Sequence, residues 1–388
     1  MSSHPVAVLR KDLAATLRLG HPWVYDAAVA VPAGLAAGQA VDLHDARGRF
    51  LARGLYDPGS PIALRLWTRD AAQAIDESLL RERLRQAAAL RRATVDRAAC
   101  TGWRLAHGEA DGLPGLVADR YGDVAVLQAD SPAVTGLKPA FAAALLAQWP
   151  DLRAVVERQA DGSLLAWEGQ APETALVIEE YDLRLEADLR HGHKTGLYLD
   201  QRENRRRVGR LAAGRRVLNL YSYTGGFSVA AALGGATRVD SVDVAAPALE
   251  AARRNFSLSG LPADPKAYGF HATDALSFLE ASPGPWDLVV ADPPSMAPSA
   301  ESRPRALATY RRLARLCLER LAPGGILVSC SCSSHITAAD LRLVLAESAA
   351  QAGRSLHLFA LHGAGPDHPV LPAFPEGDYL QAWYGLVA

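Results

Sequence analysis

Two of the four cysteines in this 388-residue chain stand in one short segment, Ser329-Cys330-Ser331-Cys332-Ser333. The segment ends an apolar run, GILVSCS at 325–331, which is typical of a buried strand. A cysteine there can be a small core residue, a metal ligand or a nucleophile. Zinc is disfavoured, because only His335 is near in sequence and no second Cys/His cluster has ligand spacing. A core residue and a nucleophile therefore remain as the alternatives.

A carboxylate followed by two prolines, Asp292-Pro293-Pro294, ends a second apolar run, WDLVVADPP at 286–294. Proline has no backbone N–H, so the segment is stiff and its carbonyl groups remain free acceptors. At the carboxyl edge of a sheet, such a rim can hold a planar base by its amino edge. The alternative is a plain strand terminator, which one proline would already supply.

A loop rich in glycine, Tyr223-Thr224-Gly225-Gly226-Phe227, follows a third apolar run, VLNLYS at 217–222. Its glycines allow a sharp turn and leave room for a ligand above the strand ends. Asp243 ends the next apolar run, where its carboxylate can accept hydrogen bonds from ribose hydroxyls. Asp274 follows the run after that, where it can accept a hydrogen bond from an adenine amino group. The loop lacks the G-x-G-x-x-G pattern that binds a pyrophosphate. The set indicates an adenosine ligand without phosphates, S-adenosylmethionine; the alternative is a turn with surface or capping aspartates.

These residues must be positioned by strands and helices that alternate from about residue 186. Continuous apolar runs separated by helical patterns predict a doubly wound, mostly parallel α/β sheet. Before it, the runs VAVLR, QAVDLHD, FLARGLYD and IALRLWT predict a small β-rich domain, and residues 76–99 predict an amphipathic helix that opens an α+β unit. Glu109 and Asp111, in a glycine-rich stretch of that unit, are interpreted as turn residues. We therefore predict three domains, at 1–72, 73–185 and 186–388.

Composition restricts the class of protein. Hydrophobic residues make up 49% and charged residues 21%, which excludes a disordered chain and allows a large core. Lys+Arg 41 and Asp+Glu 42 leave a net charge of -1, so there is no chain-wide basic excess. Arginine clusters at 202–216 and 303–315 adjoin the motifs above and favour a phosphate-bearing polymer, the alternative being solvated helix faces. With few cysteines and no apolar run of membrane length, we expect a soluble, cytoplasmic protein without a membrane partner.

Longer stretches of the sequence carry a resemblance to a known family. HKTGLYLDQRENR, LNLYSYTGGFS, VDSVDV, ADPPS and SCSCS resemble the class I methyltransferases that form 5-methylcytosine in 23S ribosomal RNA, of the ribosomal large subunit methyltransferase I type. HPWVY and LARGLYDPGSPIALRLWT resemble that family's PUA domain, GEADGLPGLVADRYG its middle domain, and DHPVLPAFPEGDYL its carboxy-terminal signature. The resemblance implies a Rossmann-like methyltransferase domain behind a PUA RNA-binding domain. It also implies S-adenosylmethionine as cofactor, no metal, and 23S ribosomal RNA or a large-subunit precursor as partner; a homodimer is compatible with it.

The resemblance also implies roles for individual residues. Cys332 would be the nucleophile and Cys330 a packing residue, while Asp292, Pro293 and Pro294 would hold the base. The residues implied to contact the cofactor are Asn219, Tyr221, Tyr223, Thr224, Gly225, Gly226, Asp243 and Asp274, together with Tyr198, Gln201 and Arg202. Arg205 and Arg206 are expected to bind the RNA. Relatives commonly have an aromatic residue where this chain has Met296, so stacking on the base must come from a thioether or from another ring.

Cytosine C5 is a poor nucleophile, and this explains a cysteine at such a site. Addition of a thiolate to C6 makes C5 nucleophilic enough to accept the methyl group, with Asp292 assisting at N3. Methylation of a base nitrogen, such as guanine N2, would need the Asp-Pro-Pro rim but no thiol. A nicotinamide-dependent dehydrogenase is disfavoured by the missing phosphate fingerprint. A non-catalytic RNA-binding protein would leave Cys332, Asp292 and Asp243 without a role.

Overall fold

The computed structural model describes residues 4–297 and 299–388, which form two compact units. The first unit contains the described residues up to Leu176, together with Ala187–Leu199 and Pro366–Gly377. The second contains Val177–Glu186, Asp200–Gly365 and Asp378–Ala388. The three domain ranges drawn from the sequence stay a prediction. Within the described ranges, no helix combines the length and the apolar character that crossing a membrane requires.

The first unit begins with a β-rich part. Its elements are β1 (Val6–Leu9), α1 (Ala14–Leu19), β2 (Trp23–Tyr25), β3 (Val29–Ala30), β4 (Ala40–His44), β5 (Phe50–Tyr56) and β6 (Ile62–Thr68). They form one six-stranded sheet in the order β2-β6-β5-β4-β1-β3, in which only the β1–β4 pair is parallel. In β1, alternation buries Ala7 and Leu9 and exposes Val6 and Val8. All four strands predicted from the sequence form here.

The rest of the first unit is α+β. Its elements are α2 (Glu77–Thr94), β7 (Gly102–His107), β8 (Leu116–Tyr121), β9 (Val124–Ala129), α3 (Lys138–Gln148), β10 (Ala154–Arg158) and β11 (Leu164–Glu168). The strands make a sheet in the order β11-β10-β9-β8-β7. Helix α2 begins where the Asp76 side chain accepts a hydrogen bond from the Leu79 N–H at 3.0 Å, an N-cap.

The interpretation of Glu109 and Asp111 as turn residues alone is incomplete. They lie in a 3₁₀ turn, Gly108–Asp111. Asp111 forms an ion pair of 2.6 Å with the fully buried Arg91, and Glu109 accepts hydrogen bonds from Trp23 Nε1 and Arg65. Because a buried arginine must be paired, the two carboxylates are part of the packing of this unit.

The second unit contains the remaining elements. They are β12 (Leu176–Glu180), β13 (Leu183–Ala187), α4 (Arg202–Leu211), β14 (Arg216–Leu220), α5 (Gly226–Leu233), β15 (Arg238–Asp243), α6 (Ala246–Leu258), β16 (Tyr268–Ala272), α7 (Ala275–Ala281), β17 (Trp286–Ala291), α8 (Arg303–Arg320), β18 (Leu321–Ser331), α9 (Ala338–Gln351), β19 (Leu356–His362) and β20 (Gln381–Val387). Strands β12 and β13 pair as a separate hairpin.

Seven strands of the second unit form one sheet in the order β16-β15-β14-β17-β18-β20-β19. The first five are parallel, and β20 runs antiparallel to both of its neighbours. The central strands are buried, as shown by Val217, Leu218 and Leu220 in β14, because helices cover parallel sheets on both faces. The predicted doubly wound α/β fold is confirmed, and its strand order reverses between β14 and β17, where such sheets bind ligands.

Candidate active site

The motif residues of the second unit follow five neighbouring parallel strands at the point where each strand ends. In sheet order they are Asp274 after β16, Asp243 at the end of β15, the glycine loop after β14, Asp292 after β17 and Cys332 after β18. The carboxyl ends of parallel strands meet at one edge of a sheet, so these residues line one continuous edge. The motifs predicted to bind adenosine, which are the glycine loop, Asp243 and Asp274, lie on the β14–β16 side. The Asp292 carboxylate and the Cys332 thiol lie on the β17–β18 side.

The loop after β14 has a backbone conformation that few residues adopt. Tyr221 and Tyr223 have φ values of +58° and +47°, and Gly225 has +77°. A Cβ atom at Gly225 would lie 2.8 Å from Cβ of Ala252. The N–H of Tyr223 donates to Oδ2 of Asp243 at 2.8 Å, which ties the loop to the end of β15. Non-glycine residues at positive φ cost about 1–3 kcal/mol each and cluster at functional sites, which favours a ligand loop over a plain turn.

Buried polar atoms beside this loop provide groups for a ligand. Nδ2 of Asn219 donates to the hydroxyl of Ser228 at 2.9 Å, whereas its Oδ1 has no hydrogen-bond partner among the described residues. The same is true of the Thr224 hydroxyl. Each oxygen of Asp243 accepts one backbone N–H and keeps a lone pair for a ribose hydroxyl. Because buried polar groups are normally hydrogen-bonded, these residues fit the ribose and ammonium groups of S-adenosylmethionine.

Asp274 and Gly226 contribute to the packing around the loop. The Asp274 carboxylate caps α7 by accepting the N–H of Ser277 at 2.9 Å, so the capping alternative is observed and the adenine contact stays a prediction. A Cβ at Gly226 would lie 2.8 Å from Cδ of Arg205, so only glycine allows α5 to begin so close to α4.

Asp292 is held by an amide and has a second carboxylate near it. Its Oδ2 accepts a hydrogen bond from Nε2 of Gln201 at 3.0 Å, and Gln201 in turn accepts one from Nδ2 of Asn204 at 2.7 Å. Burial, followed by the charge of Asp200, raises the pKa of Asp292 to about 7. A carboxyl with this pKa can donate or accept a proton near neutral pH. Gln201, predicted to contact the cofactor, is placed on the Asp292 carboxylate.

The two cysteines of the serine-rich segment differ in exposure. Cys330 is completely buried in β18, and burial together with the charge of Asp292 raises the pKa of its thiol well above the ordinary value. Cys332 follows the end of β18, is partly exposed, and places its Sγ 4.0 Å from the carbonyl oxygen of Pro293. Since a thiol must ionise to react, this difference favours Cys332 as the reactive cysteine.

The serines on either side of Cys332 point into the protein. The hydroxyl of Tyr310 donates to Ser331 Oγ at 3.0 Å. Ser333 Oγ accepts the N–H of Met296 at 3.0 Å, which joins the end of β18 to the Asp-Pro-Pro loop. Met296 also packs against the hydrophobic core, so it is only partly available to a base. These contacts fix the position of Cys332 relative to the loop that follows β17.

The arginine clusters are largely neutralised. In 303–315, four of the five arginines form ion pairs: Arg303 with Asp340, Arg311 with Glu347, Arg312 with Glu280 and Arg315 with Glu319. In 202–216, Arg202 is buried against Glu203, and Arg205 is buried in a bidentate pair with Glu180 whose Nε–Oε1 distance is 2.7 Å. The prediction that Arg205 binds RNA is corrected, because its guanidinium packs inside the unit. Arg206 is partly exposed and stacks on Tyr181, with its guanidinium carbon 3.9 Å from the ring centre.

Asp200 was not predicted from the sequence, and Tyr198 falls in the first unit. Asp200 is only 6% exposed; its Oδ2 accepts the hydroxyl of Tyr379 at 2.7 Å, and its Oδ1 has no hydrogen-bond partner in the described part of the chain. Its place next to Gln201 was the only available signal, since burial of a carboxylate is not readable from its neighbours in sequence. Tyr198 belongs to the first unit, where its hydroxyl lies 3.0 Å from Nδ1 of His193.

Comparisons with known proteins identify the family of this chain. The model of a family described as S-adenosylmethionine-dependent methyltransferase matches residues 127–378, and a PUA-like domain model matches residues 7–69. A protein named ribosomal RNA large subunit methyltransferase I from Klebsiella pneumoniae (strain 342) is 37% identical over 394 residues, covering 98% of each chain. The protein of that name from Escherichia coli O139:H28 is 37% identical over 388 residues, covering 97% of this chain and 98% of its own.

Solved structures show the same fold. A SAM-dependent methyltransferase from Streptococcus mutans superposes with a TM-score of 0.87 at 21% identity, over 98% of this chain and all of its own. A methyltransferase solved in complex with SAH gives a TM-score of 0.87 at 22% identity, over 99% of both chains. The carboxyl-edge site and these matches lead to one conclusion: the chain belongs to the S-adenosylmethionine-dependent methyltransferase family that includes the relatives named ribosomal RNA large subunit methyltransferase I.

Proposed function

We propose that this chain methylates C5 of a cytosine in 23S ribosomal RNA, or in a precursor of the large subunit, through a covalent cysteine adduct. The names of its relatives support large-subunit RNA as the substrate. The observation that carries the C5 chemistry is the position of Cys332, whose partly exposed Sγ lies 4.0 Å from the carbonyl of Pro293. A thiol beside the rim that would hold a base has a use in C5 methylation and none in methylation of a nitrogen.

The residues of the second unit divide the reaction between them. The Cys332 thiolate adds to C6, and the electrons of the C5–C6 double bond move toward N3. A protonated Asp292 carboxyl donates to N3 as that charge develops, and its pKa of about 7 makes the protonated form available at neutral pH. C5 then takes the methyl group from the sulfonium and loses its proton, and the thiolate leaves C6. The N3 proton returns to Asp292, which restores the aromatic ring and the carboxyl group. The target base must leave its stack to reach both groups.

The glycine loop and its neighbours would hold the cofactor, which supplies an electrophilic methyl group on a sulfonium. Asp243 would bind the ribose, while Asn219 and Thr224 would satisfy their buried polar atoms on the amino-acid part. The positive φ values of Tyr221 and Tyr223 shape the loop around this ligand. Gln201 orients Asp292 through the 3.0 Å hydrogen bond.

The test compares the two cysteines. Cys332→Ala should abolish methylation of a 23S ribosomal RNA transcript and should leave S-adenosylmethionine binding, measured by calorimetry, within two-fold of wild type. Cys330→Ala is the matched control, because it removes a thiol of the same segment that is completely buried. Activity that survives both changes would contradict the covalent mechanism and favour transfer to a base nitrogen. If only Cys330→Ala is inactive, the nucleophile is Cys330 and not Cys332.

The site of modification requires the natural RNA. Mass-spectrometric mapping of 23S ribosomal RNA from a strain that lacks this protein should show the loss of one 5-methylcytosine. Loss of a methylguanine instead would refute the proposed base and keep the RNA methyltransferase activity. Thermal stabilisation by RNA with none by S-adenosylmethionine would point to a non-catalytic RNA-binding protein.

A further inference from the structure

One face of helix α4 carries two arginines that have no ion pair among the described residues. Arg207 and Arg210 are one turn apart and therefore share a face of the helix. Arg210 is exposed and Arg207 partly so, and neither forms an ion pair with any residue in 4–297 or 299–388. In the cluster at 303–315, by contrast, four of the five arginines form ion pairs with carboxylates. Arg207 and Arg210 thus place two positive charges on one face of α4 that no carboxylate of the described residues neutralises.

The edge of the large sheet next to α4 presents aromatic side chains. Strand β19 is an edge strand, and a bulge between Leu358 and Ala360 interrupts its pairing with β20. Phe359 stands at that bulge and is 53% exposed, which is high for a phenylalanine. Its ring centre lies 6.2 Å from that of Tyr384, and the ring of His362 lies 5.3 Å from the same tyrosine. The three rings therefore share one face of the edge.

Helix α4 packs on this same face. The hydroxyl of Tyr384 donates to Oδ1 of Asn204 at 3.2 Å, and Nδ2 of Asn204 donates to the carbonyl of Gly363, which follows β19. Arg207 is three residues further along the helix, and its charge reaches His362, where burial and Arg207 together lower the pKa of the imidazole. Arg207, Arg210, Phe359 and His362 thus form one surface, here called the α4–β19 surface.

The α4–β19 surface begins at the catalytic edge of the sheet. His362 pairs with Ala382 of β20, and Ala382 pairs with Cys330 of β18. Two strand spacings separate His362 from Cys330, which is a distance of about 10 Å between their Cα atoms. Cys332 lies two residues beyond Cys330. If a nucleotide of an RNA chain is bound at Cys332, the nucleotides next to it in the RNA would lie within reach of this surface.

We propose that the α4–β19 surface binds the single-stranded RNA next to the target nucleotide. Arg207 and Arg210 contact phosphates, and Phe359 stacks on an unpaired base. This surface joins positive charge to an exposed ring, and single-stranded RNA is bound by positive grooves with aromatic platforms. An exposed ring alone would not distinguish RNA from a protein partner. The inference rests on the proposed function, since it takes RNA as the substrate.

The arginine part is tested by the salt dependence of binding to a 23S ribosomal RNA transcript, with the full-length protein in a filter assay. The Arg207→Ala/Arg210→Ala double variant should bind at least ten-fold more weakly at 0.15 M salt. The slope of log affinity against log salt should fall by roughly one for each lost phosphate contact. Arg312→Ala/Arg315→Ala is the matched control; it removes two arginines that already form ion pairs and should leave the slope unchanged.

The stacking part is tested at Phe359. Phe359→Ala should weaken RNA binding by roughly 5-fold or more, and Phe359→Tyr should restore it, because tyrosine keeps the stacking ring. Binding of S-adenosylmethionine should not change in any variant.

If wild type binds the RNA and the variants match it in affinity and slope, the proposal that the α4–β19 surface binds RNA is wrong and the proposed function stands. If wild type neither binds nor methylates the RNA, the proposed function fails and this inference with it. Variants that lose self-association in sedimentation but keep RNA affinity would make the surface a protein interface and overturn the proposal.

Discussion

Replacing Asp292 with asparagine should stabilise the second unit at alkaline pH and strongly slow methyl transfer. The folded protein raises the pKa of this carboxyl from 3.8 to about 7. Between these two pH values the folded state binds a proton that the unfolded state has released, so the free energy of unfolding falls as pH rises. Above pH 7 the carboxyl is ionised in both states, and the whole destabilisation by its buried charge is present. The difference corresponds to roughly 4 kcal/mol. Since Asp292 is partly exposed, we expect a measured gain of about 1–3 kcal/mol on removing the charge.

The measurement is thermal unfolding of wild type and Asp292→Asn from pH 5 to pH 9. The variant keeps an oxygen that can accept the Gln201 hydrogen bond, so packing around the site should persist. For a unit of this size, 1 kcal/mol shifts the melting temperature by about 2–4 °C. The variant should therefore melt several degrees higher at pH 9, and this advantage should shrink as pH falls toward 5. Methylation of the RNA should fall by about 100-fold or more, as expected for loss of a general acid.

Two results would refute this reasoning about Asp292. A variant that melts lower than wild type at every pH would mean that the carboxylate stabilises the fold. A difference in melting temperature that does not change with pH would mean that Asp292 is already ionised at pH 5 in the folded protein. Either result would also remove the protonated donor from the proposed mechanism.

Three other substitutions test the surroundings of the site. Asp200→Asn removes a charge that raises the pKa of Asp292, so the alkaline limb of the kcat/KM profile should move to lower pH; an unchanged limb would contradict the coupling. Gly225→Ala places a Cβ 2.8 Å from that of Ala252 at a φ of +77°, and should lower S-adenosylmethionine affinity about ten-fold or more in calorimetry. Arg205→Ala leaves its buried carboxylate partner uncompensated and should cost about 3–5 kcal/mol in urea unfolding, whereas a loss below 1 kcal/mol would show that the pair is not buried in solution.

The fold and the order of the site along the sheet edge were predictable because both depend on local patterns. Apolar runs at 217–222 and 286–294 become strands β14 and β17, and each motif directly follows its strand. Where a motif begins at the end of a parallel strand, its position in space follows from the topology. Composition, motif spacing and resemblance therefore sufficed for the fold class and for the cofactor.

The electrostatic details could not be predicted, because they depend on partners far away in the sequence. Nothing near Arg205 indicates that Glu180 will bury it, and nothing near Arg312 indicates the ion pair with Glu280. A run of arginines looks the same whether it faces solvent, a carboxylate or a phosphate. Asp200 was overlooked for the same reason, since its effect on Asp292 arises from packing of residues that are distant in the chain.

One stretch that carries the resemblance, HKTGLYLDQRENR, meets two separate packing demands. The chain passes from the first unit to the second between Leu199 and Asp200, in the middle of this stretch. In the first unit, the Thr195 hydroxyl donates to Oδ2 of Asp119 at 2.7 Å. In the second unit, Gln201 donates to Asp292 at 3.0 Å. The first half of the stretch therefore anchors the chain in a buried polar network, and its second half positions the proposed catalytic carboxyl.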